Sequence, residues 1–377
     1  MVEKKKLHII AYAALGKGLS GGDNILIELS KRWADKLDIT IWGGRQIKDA
    51  SFAKGLQSVR FNICPSKTHF RYLERLFWSL KTSVSPDIQN CIYTASDFPH
   101  DLLCGWIIKL RFPRIKWIAG YYLVLCPPFA SRSPYRGFSR IRGVGYWLMQ
   151  KFTLPIVRKW ADVVYVTSEP DRKYFKKVVV IKGGVTIIPE MHFAFTHLPV
   201  EKREYDAIFI GRFHYQKGVS ELIDIWNLVR KWKPDTKLLM IGNGVLYQKC
   251  LEKRLDLGLR KNIDFISFVN DDLKKYYFSR SKIIVHPAIF DSGGMACAEG
   301  MAYGLPCVGF DLPVYKTYYE LGMLKAKNIE EFASIIIELL TNKELYKSVA
   351  QEAFDYIREK WDWDRRTEKI WEESGLF

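Results

Sequence analysis

Short runs of consecutive apolar residues alternate along this chain with longer segments whose apolar positions recur at helical spacing. Residues 8–13 form a β-rich run, followed by the glycines Gly16, Gly18, Gly21 and Gly22. Residues 24–33 then carry helical periodicity, and 37–42 read as a strand again. Apolar strands separated by helices imply a parallel sheet covered by helices on its faces. Further strands are predicted at 59–63, 90–94, 116–120, 163–167 and 178–181. A second series opens with a strand at 206–210 and a helix at 219–231, and adds strands at 237–241, 263–266, 282–286 and 306–310. The intervening 189–204 has weak periodicity and a charged end, and reads as a linker. The pattern predicts an α/β protein of two doubly wound, Rossmann-like domains. These are 1–188, then 189–360, with 361–377 as a terminal helix that closes the fold or crosses back to the first domain. Ligands of such sheets sit at the carboxyl ends of the strands.

Composition narrows this picture in three ways. The chain has 377 residues, enough for two domains, and no low-complexity run or short repeat. Its seven cysteines include no C-x-x-C pair, which suits reduced thiols in a cytoplasmic protein and gives no zinc spacing. No apolar run approaches the length of a membrane span. The net charge of +17 is unevenly spread: residues 102–161 contain no Asp or Glu but carry Lys109, Arg111, Arg114, Lys116, Arg132, Arg136, Arg140, Arg142, Lys151, Arg158 and Lys159. That stretch predicts attraction to an anionic partner, with an anionic membrane surface preferred.

Two constellations carry chemistry. Gly211-Arg212 and Lys217-Gly218 lie between a predicted strand and a predicted helix. A guanidinium that forks onto phosphate oxygens and a lysine acting as a point charge suit a diphosphate. Asp291, Gly293, Gly294, Met295 and Glu299 follow the strand that ends at His286-Pro287. Bare amides of Gly293, Gly294 and Met295 at a helix start favour an anion. Glu299 suits a ribose diol, and Asp291 suits sugar hydroxyls or a simple helix cap.

These residues resemble glycosyltransferase family 4, retaining transferases of the GT-B architecture in which two Rossmann-like domains face each other across a cleft. The family's G-R-x(n)-K-G element is similar to Gly211, Arg212, Lys217 and Gly218. Its E-x7-E element is similar to Asp291 and Glu299, with Asp in place of the usual first Glu. Ser20-Gly21-Gly22 resembles the family's N-terminal glycine loop near the donor phosphate, and Gly183-Gly184-Val185 its late G-V turn, with Thr186 where Asp is usual. The resemblance implies transfer of a hexose-type sugar from a UDP- or GDP-sugar, without a bound cofactor or metal. It implies that Arg212, Lys217 and the Gly293–Met295 amides stabilise the leaving diphosphate. Asn243, Gly244 and Phe268 are expected near the base. Asp97, His100 and Tyr122 are the acceptor-side candidates, with His100 also a catalytic one.

The acceptor is expected to be a glycan, a lipid-linked group or a phospholipid, which places the protein in the cytoplasm, peripheral on the membrane face. Residues 131–160 mix cations with Tyr135, Phe138, Tyr146, Trp147, Leu148, Phe152 and Ile156, an interface-seeking composition. Residues 70–78 are a second amphipathic segment, read preferentially as a core helix. Two alternatives stand beside the transferase: a sugar-nucleotide epimerase of the same architecture, and a basic nucleic-acid-binding protein. The second lacks any zinc module, RNP-type motif or helix-turn-helix pattern, so no nucleic acid is expected.

Overall fold

The computed structural model describes residues 4–14, 20–65, 71–84, 90–130, 139–291 and 293–375. Gly16, Gly18, Phe70, Arg132, Tyr135, Arg136, Phe138 and Ser292 lie outside the described residues. The chain divides into two compact units, Met1–Gly183 with Asp364–Phe377, and Gly184–Trp363.

In the first unit the elements run β1 (Lys6–Ala11), α1 (Gly21–Trp33), β2 (Asp38–Gly43), α2 (Arg45–Ala53), β3 (Arg60–Ile63), α3 (Arg71–Lys81), β4 (Cys91–Thr94), α4 (Pro99–Arg111), β5 (Lys116–Gly120), α5 (Ser139–Trp160), β6 (Val163–Val166) and β7 (Val178–Val180). The sheet is parallel in the order β3-β2-β1-β4-β5-β6-β7. Its central strands β4 and β6 are buried throughout, as strands covered on both faces must be. Right-handed crossovers place α1 and α2 on one face, and α3, α4 and α5 on the other. Ser20 opens α1 with a capping box, its hydroxyl accepting from Asp23 N and Asp23 accepting from Ser20 N.

The second unit contains α6 (Pro189–His197), β8 (Tyr205–Ile210), α7 (Val219–Trp232), β9 (Leu238–Ile241), α8 (Tyr247–Asp256), β10 (Ile263–Ile266), α9 (Asp271–Ser279), β11 (Ser281–His286), α10 (Met295–Met301), β12 (Cys307–Phe310), α11 (Pro313–Tyr318), β13 (Met323–Ala326), α12 (Ile329–Thr341) and α13 (Lys343–Lys360). Its parallel sheet has the order β10-β9-β8-β11-β12-β13. The last helix, α14 (Trp363–Ser374), leaves this unit after one residue and joins the first. There Tyr165 shares a hydrogen bond of 2.6 Å with Ser374, and Arg366 donates to the carbonyls of Lys182 and Gly183.

Both units follow the predicted α/β pattern of doubly wound, Rossmann-like domains. Three expectations change. The stretch expected to be a linker contains α6, whose Met191 and Ala194 are buried in the core of the second unit. Pro189 at its first position supplies a helical φ at no hydrogen-bond cost, a signal that weak periodicity hid. The edge strand β13 was not foreseen, because four residues that include a lysine carry little period. The segment 70–78, read preferentially as a core helix, falls in α3 from residue 71 onward, but Leu73 is 61% and Phe77 52% exposed.

Candidate functional site

In each unit the strand order reverses beside the first strand, between β1 and β4 and between β8 and β11. Open parallel sheets bind ligands at that point. In the second unit β8 leads through Gly211 and Arg212 to a single 3-10 turn, Tyr215–Lys217, before α7. Gly218 joins turn and helix with φ of 61°, a conformation that glycine adopts freely. A Cβ there would fall 1.8 Å from the carbonyl oxygen of Pro287, just beyond β11. The loops after β8 and β11 thus touch at their backbones, and Ile289 N donates to Gln216 O at 3.0 Å.

This approach brings Lys217 to Asp291. The lysine Nζ lies 2.7 Å from Asp291 Oδ2, which also takes His286 Nε2 at 2.6 Å and the Tyr315 hydroxyl at 3.0 Å. The other oxygen, Oδ1, accepts Gly293 N and Gly294 N, both at 3.2 Å. Burial alone would raise the carboxyl pKa. The Lys217 charge and the bonds from His286 and Lys217 overcome it and hold the group well below the usual range. Burial likewise opposes a charged imidazole, but Cys297 and the bond to Asp291 carry His286 up to about 9. Tyr319 fixes the loop from below, its hydroxyl donating to the carbonyls of Gly293 and Gly294. Gly294, with φ of 61°, turns the chain into α10.

Of the two roles expected for Asp291, the structure displays the capping one: its side chain is 6% exposed and its oxygens are taken within the unit, so it organises the loop. Two of the three amides expected to be bare at the start of α10 belong to that same carboxylate. Glu299, four residues into α10, is accessible but not loose: Lys274 on α9 reaches it at 3.1 Å. Burial would lower the Lys274 pKa, and Glu299 and Asp271 raise it above the usual lysine value.

Arg212 is exposed, and no side-chain partner is recorded for its guanidinium among the described residues. Asn243 and Gly244 are exposed in the loop after β9, where Gly244 N donates to Asn243 Oδ1. Phe268, after β10, stands 84% exposed. All of these follow the C-terminal ends of strands in one sheet. Sequence reasoning missed His286, Tyr315, Tyr319 and Lys274. Only His286, directly before the strand-ending proline, lay close enough to the motif to be found.

In the first unit the acceptor-side candidates separate. Gly22, in the first turn of α1, lies under Tyr122: a Cβ would sit 2.8 Å from its ring. The Tyr122 hydroxyl is bonded to that of Tyr93. Asp97 is instead buried, accepting from Tyr146 Oη at 2.8 Å and Gln150 Nε2 at 2.7 Å, so it anchors α5. His100 is fully buried, with Nε2 3.1 Å from the Tyr72 carbonyl, and joins α4 to α3. A helix start and an acidic residue look the same in sequence whether they face a cleft or a neighbouring helix. The switch point is shaped by two residues not singled out before. Asp101 accepts Tyr12 N, Ala13 N and Ser96 Oγ, and buried Arg75 donates to the carbonyls of Tyr12 and Ala14. Among the described residues no cluster of His, Cys, Asp and Glu could hold a metal ion.

The chain is similar to known glycosyltransferases. An uncharacterised glycosyltransferase of Methanocaldococcus jannaschii is 26% identical over 169 residues, covering 44% of this chain and 43% of the relative. The amylovoran biosynthesis glycosyltransferase of Erwinia amylovora is 26% identical over 224 residues, covering 54% of this chain and 61% of the relative. The chain thus spans less than two thirds of the length of these relatives. The crystal structure of Anabaena HepE in complex with UDP and glucose superposes with a TM-score of 0.73 at 15% identity, covering 98% of each chain. Residues 193–356, inside the second unit, match the family described as Glycosyl transferases group 1, and the chain carries a glycosyltransferase domain there.

Proposed function

We propose that this protein is a retaining glycosyltransferase that moves a hexose from a UDP- or GDP-sugar to a glycan, lipid-linked or phospholipid acceptor at a membrane face. The observation that carries the reading is the asymmetry between two cations after β8: Lys217 is locked onto Asp291, while Arg212 in the same loop is exposed, with no side-chain partner among the described residues. An exposed guanidinium beside an organised lysine is suited to the two phosphates of a nucleotide sugar. Arg212 and Lys217 then neutralise the charge that grows on the leaving diphosphate as its bond to the anomeric carbon breaks. Losing one such donor costs roughly 3–4 kcal/mol in other enzymes. The departing phosphate oxygen takes the acceptor proton on the same face of the sugar, so no carboxylate nucleophile is required. Glu299, steadied by Lys274, takes the ribose diol, and Phe268 with the Gly242–Gly244 backbone meets the base. Support for the donor class comes from HepE, whose structure holds UDP and glucose.

The test is a thermal-shift series with UDP, GDP and their hexose conjugates, on the wild type and on Arg212→Ala. Ligands that bind only the native state raise its melting point, by about 2.7 kcal/mol of stability at a hundredfold excess over Kd. A shift with one nucleotide series that Arg212→Ala loses, followed by sugar transfer only when acceptor is supplied, supports the proposal. No shift with any of them overturns it. Conversion of the sugar nucleotide without acceptor assigns an epimerase or hydrolase instead.

A further inference from the structure

The helical layer α3–α4–α5 covers one face of the first sheet, with α3 packed on α4 and α4 on α5. All three helices run antiparallel to the strands they connect, so their C-terminal ends fall at one end of the layer. The outside of this layer is unusually apolar. On α3, Leu73, Phe77, Trp78 and Leu80 are exposed; on α5, Leu148 and Phe152 are 54% and 61% exposed. Soluble surfaces seldom gather so many large apolar side chains on the outside of one helical layer.

Cations are interleaved with them. Lys81 closes α3, Arg111 closes α4, and Lys151, Arg158 and Lys159 lie along the second half of α5, all exposed. Lys81 stands 4.1 Å from the Phe77 ring centroid and Lys151 5.1 Å from that of Trp147. The three helices contain two acids, Glu74 and Asp101. Glu74 is half-buried, and Asp101 is buried under the loop after β1. Lys109, part of the basic stretch in sequence, is withdrawn into an ion pair with Asp162 at 2.8 Å. What reaches the outside is thus positive charge and apolar area, with little acid to oppose either.

We infer that the outer face of α3 and α5 is a docking surface for an anionic phospholipid bilayer, on which Leu73, Phe77, Trp78, Leu148 and Phe152 enter the headgroup boundary while Lys81, Arg111, Lys151, Arg158 and Lys159 meet lipid phosphate. Charge selects the occupant: a protein partner of apolar character leaves five lysines and arginines unanswered, whereas an anionic bilayer answers both features together. No described helix is long and apolar enough to cross a membrane, so the contact is with one face of it. The inference adds a surface to the proposed membrane-face acceptor but is tested without any transferase assay, so either can fail alone.

The experiment is flotation of the full chain with phosphatidylcholine vesicles, with and without phosphatidylglycerol. The variants are Leu73→Glu/Phe77→Glu on α3 and Leu148→Glu/Phe152→Glu on α5. Each removes exposed side chains, and melting curves matching the wild type verify that the fold is kept. The wild type should float with the anionic vesicles, less so at high salt, and each pair should weaken partitioning by at least about tenfold. Quenching of Trp78 fluorescence by brominated lipid, lost in Trp78→Leu, reads insertion directly. Failure of the wild type to float with either vesicle overturns the inference, as does binding that both variants retain. Concentration-dependent self-association abolished by the same substitutions assigns the face to a second copy and also overturns it.

Discussion

Each unit places a buried aspartate at its sheet's switch point, and the two carboxyl pKa values are pushed in opposite directions. Asp291 faces the Lys217 ammonium and the His286 imidazole, and its carboxyl is held well below the ordinary range. Asp101 faces only neutral donors, Tyr12 N, Ala13 N and Ser96 Oγ. Burial, partly offset by those bonds, pushes it up to about 7. Residue type, burial and topology are shared, so the partners alone decide the charge. The second unit keeps a charge-paired centre that fixes Lys217 in the loop proposed to meet the donor phosphates; the first uses its carboxyl as scaffold for the loop after β1.

The largest effect that would break this comparison is expected from Asp291→Ala. Removing one partner of a buried ion pair typically costs about 3–5 kcal/mol, because Lys217 and His286 are left uncompensated. Asp101→Ala removes neutral hydrogen bonds only and should cost about 1–3 kcal/mol. Chemical denaturation of the two variants side by side reads the difference, and equal losses would erase the contrast. Gly218→Ala should follow, at roughly 2–3 kcal/mol for a strained residue, since its Cβ collides with Pro287 O. Nucleotide binding should fall with it, as the loops that join Lys217 to Asp291 part.

The pH dependence sharpens the contrast further. Asp101 has a folded pKa raised above its unfolded value, so between about pH 4 and 7 the native state holds a proton that the unfolded chain has released. Stability from this group therefore falls as pH rises through that window, by up to about 1.4 kcal/mol per pH unit. Asp101→Asn should flatten the fall in melting temperature. Asp291 acts in the opposite sense: its contribution is present above the unfolded carboxylate pKa near 4 and is lost as pH drops toward its depressed folded value. The smallest expected effect is that of Lys274→Met, which frees Glu299. It should weaken binding of the nucleotide by about fivefold, on the order of 1 kcal/mol, with little change in melting temperature.

Legibility differed between fold and site. Twelve of the strands were legible, most of them as apolar runs because a strand covered on both faces has no polar register to keep, while β3 and β10 carry polar residues and are partly exposed. The 3-10 turn that carries Lys217 and the helix α10 are short, yet their glycines mark them. Partnerships were not legible. Nothing in the spacing told that Lys274 would meet Glu299 across two elements, or that Asp97 and His100 would turn inward to α5 and α3. The same limit applied to α3, whose strong amphipathic period reports two faces but not which of them the sheet covers.

The sequence by itself determined the alternation of strands and helices, the glycines at which loops approach each other, and the charge that leaves residues 102–161 without an acid. These are local properties: periodicity, backbone permissiveness and composition act within a few residues. Tertiary structure decided which carboxylates are buried, which cation is locked onto one of them and which apolar side chains remain outside. Those outcomes depend on contacts between residues as distant as Lys217 and Asp291, joined only because β8 and β11 are neighbours in one sheet.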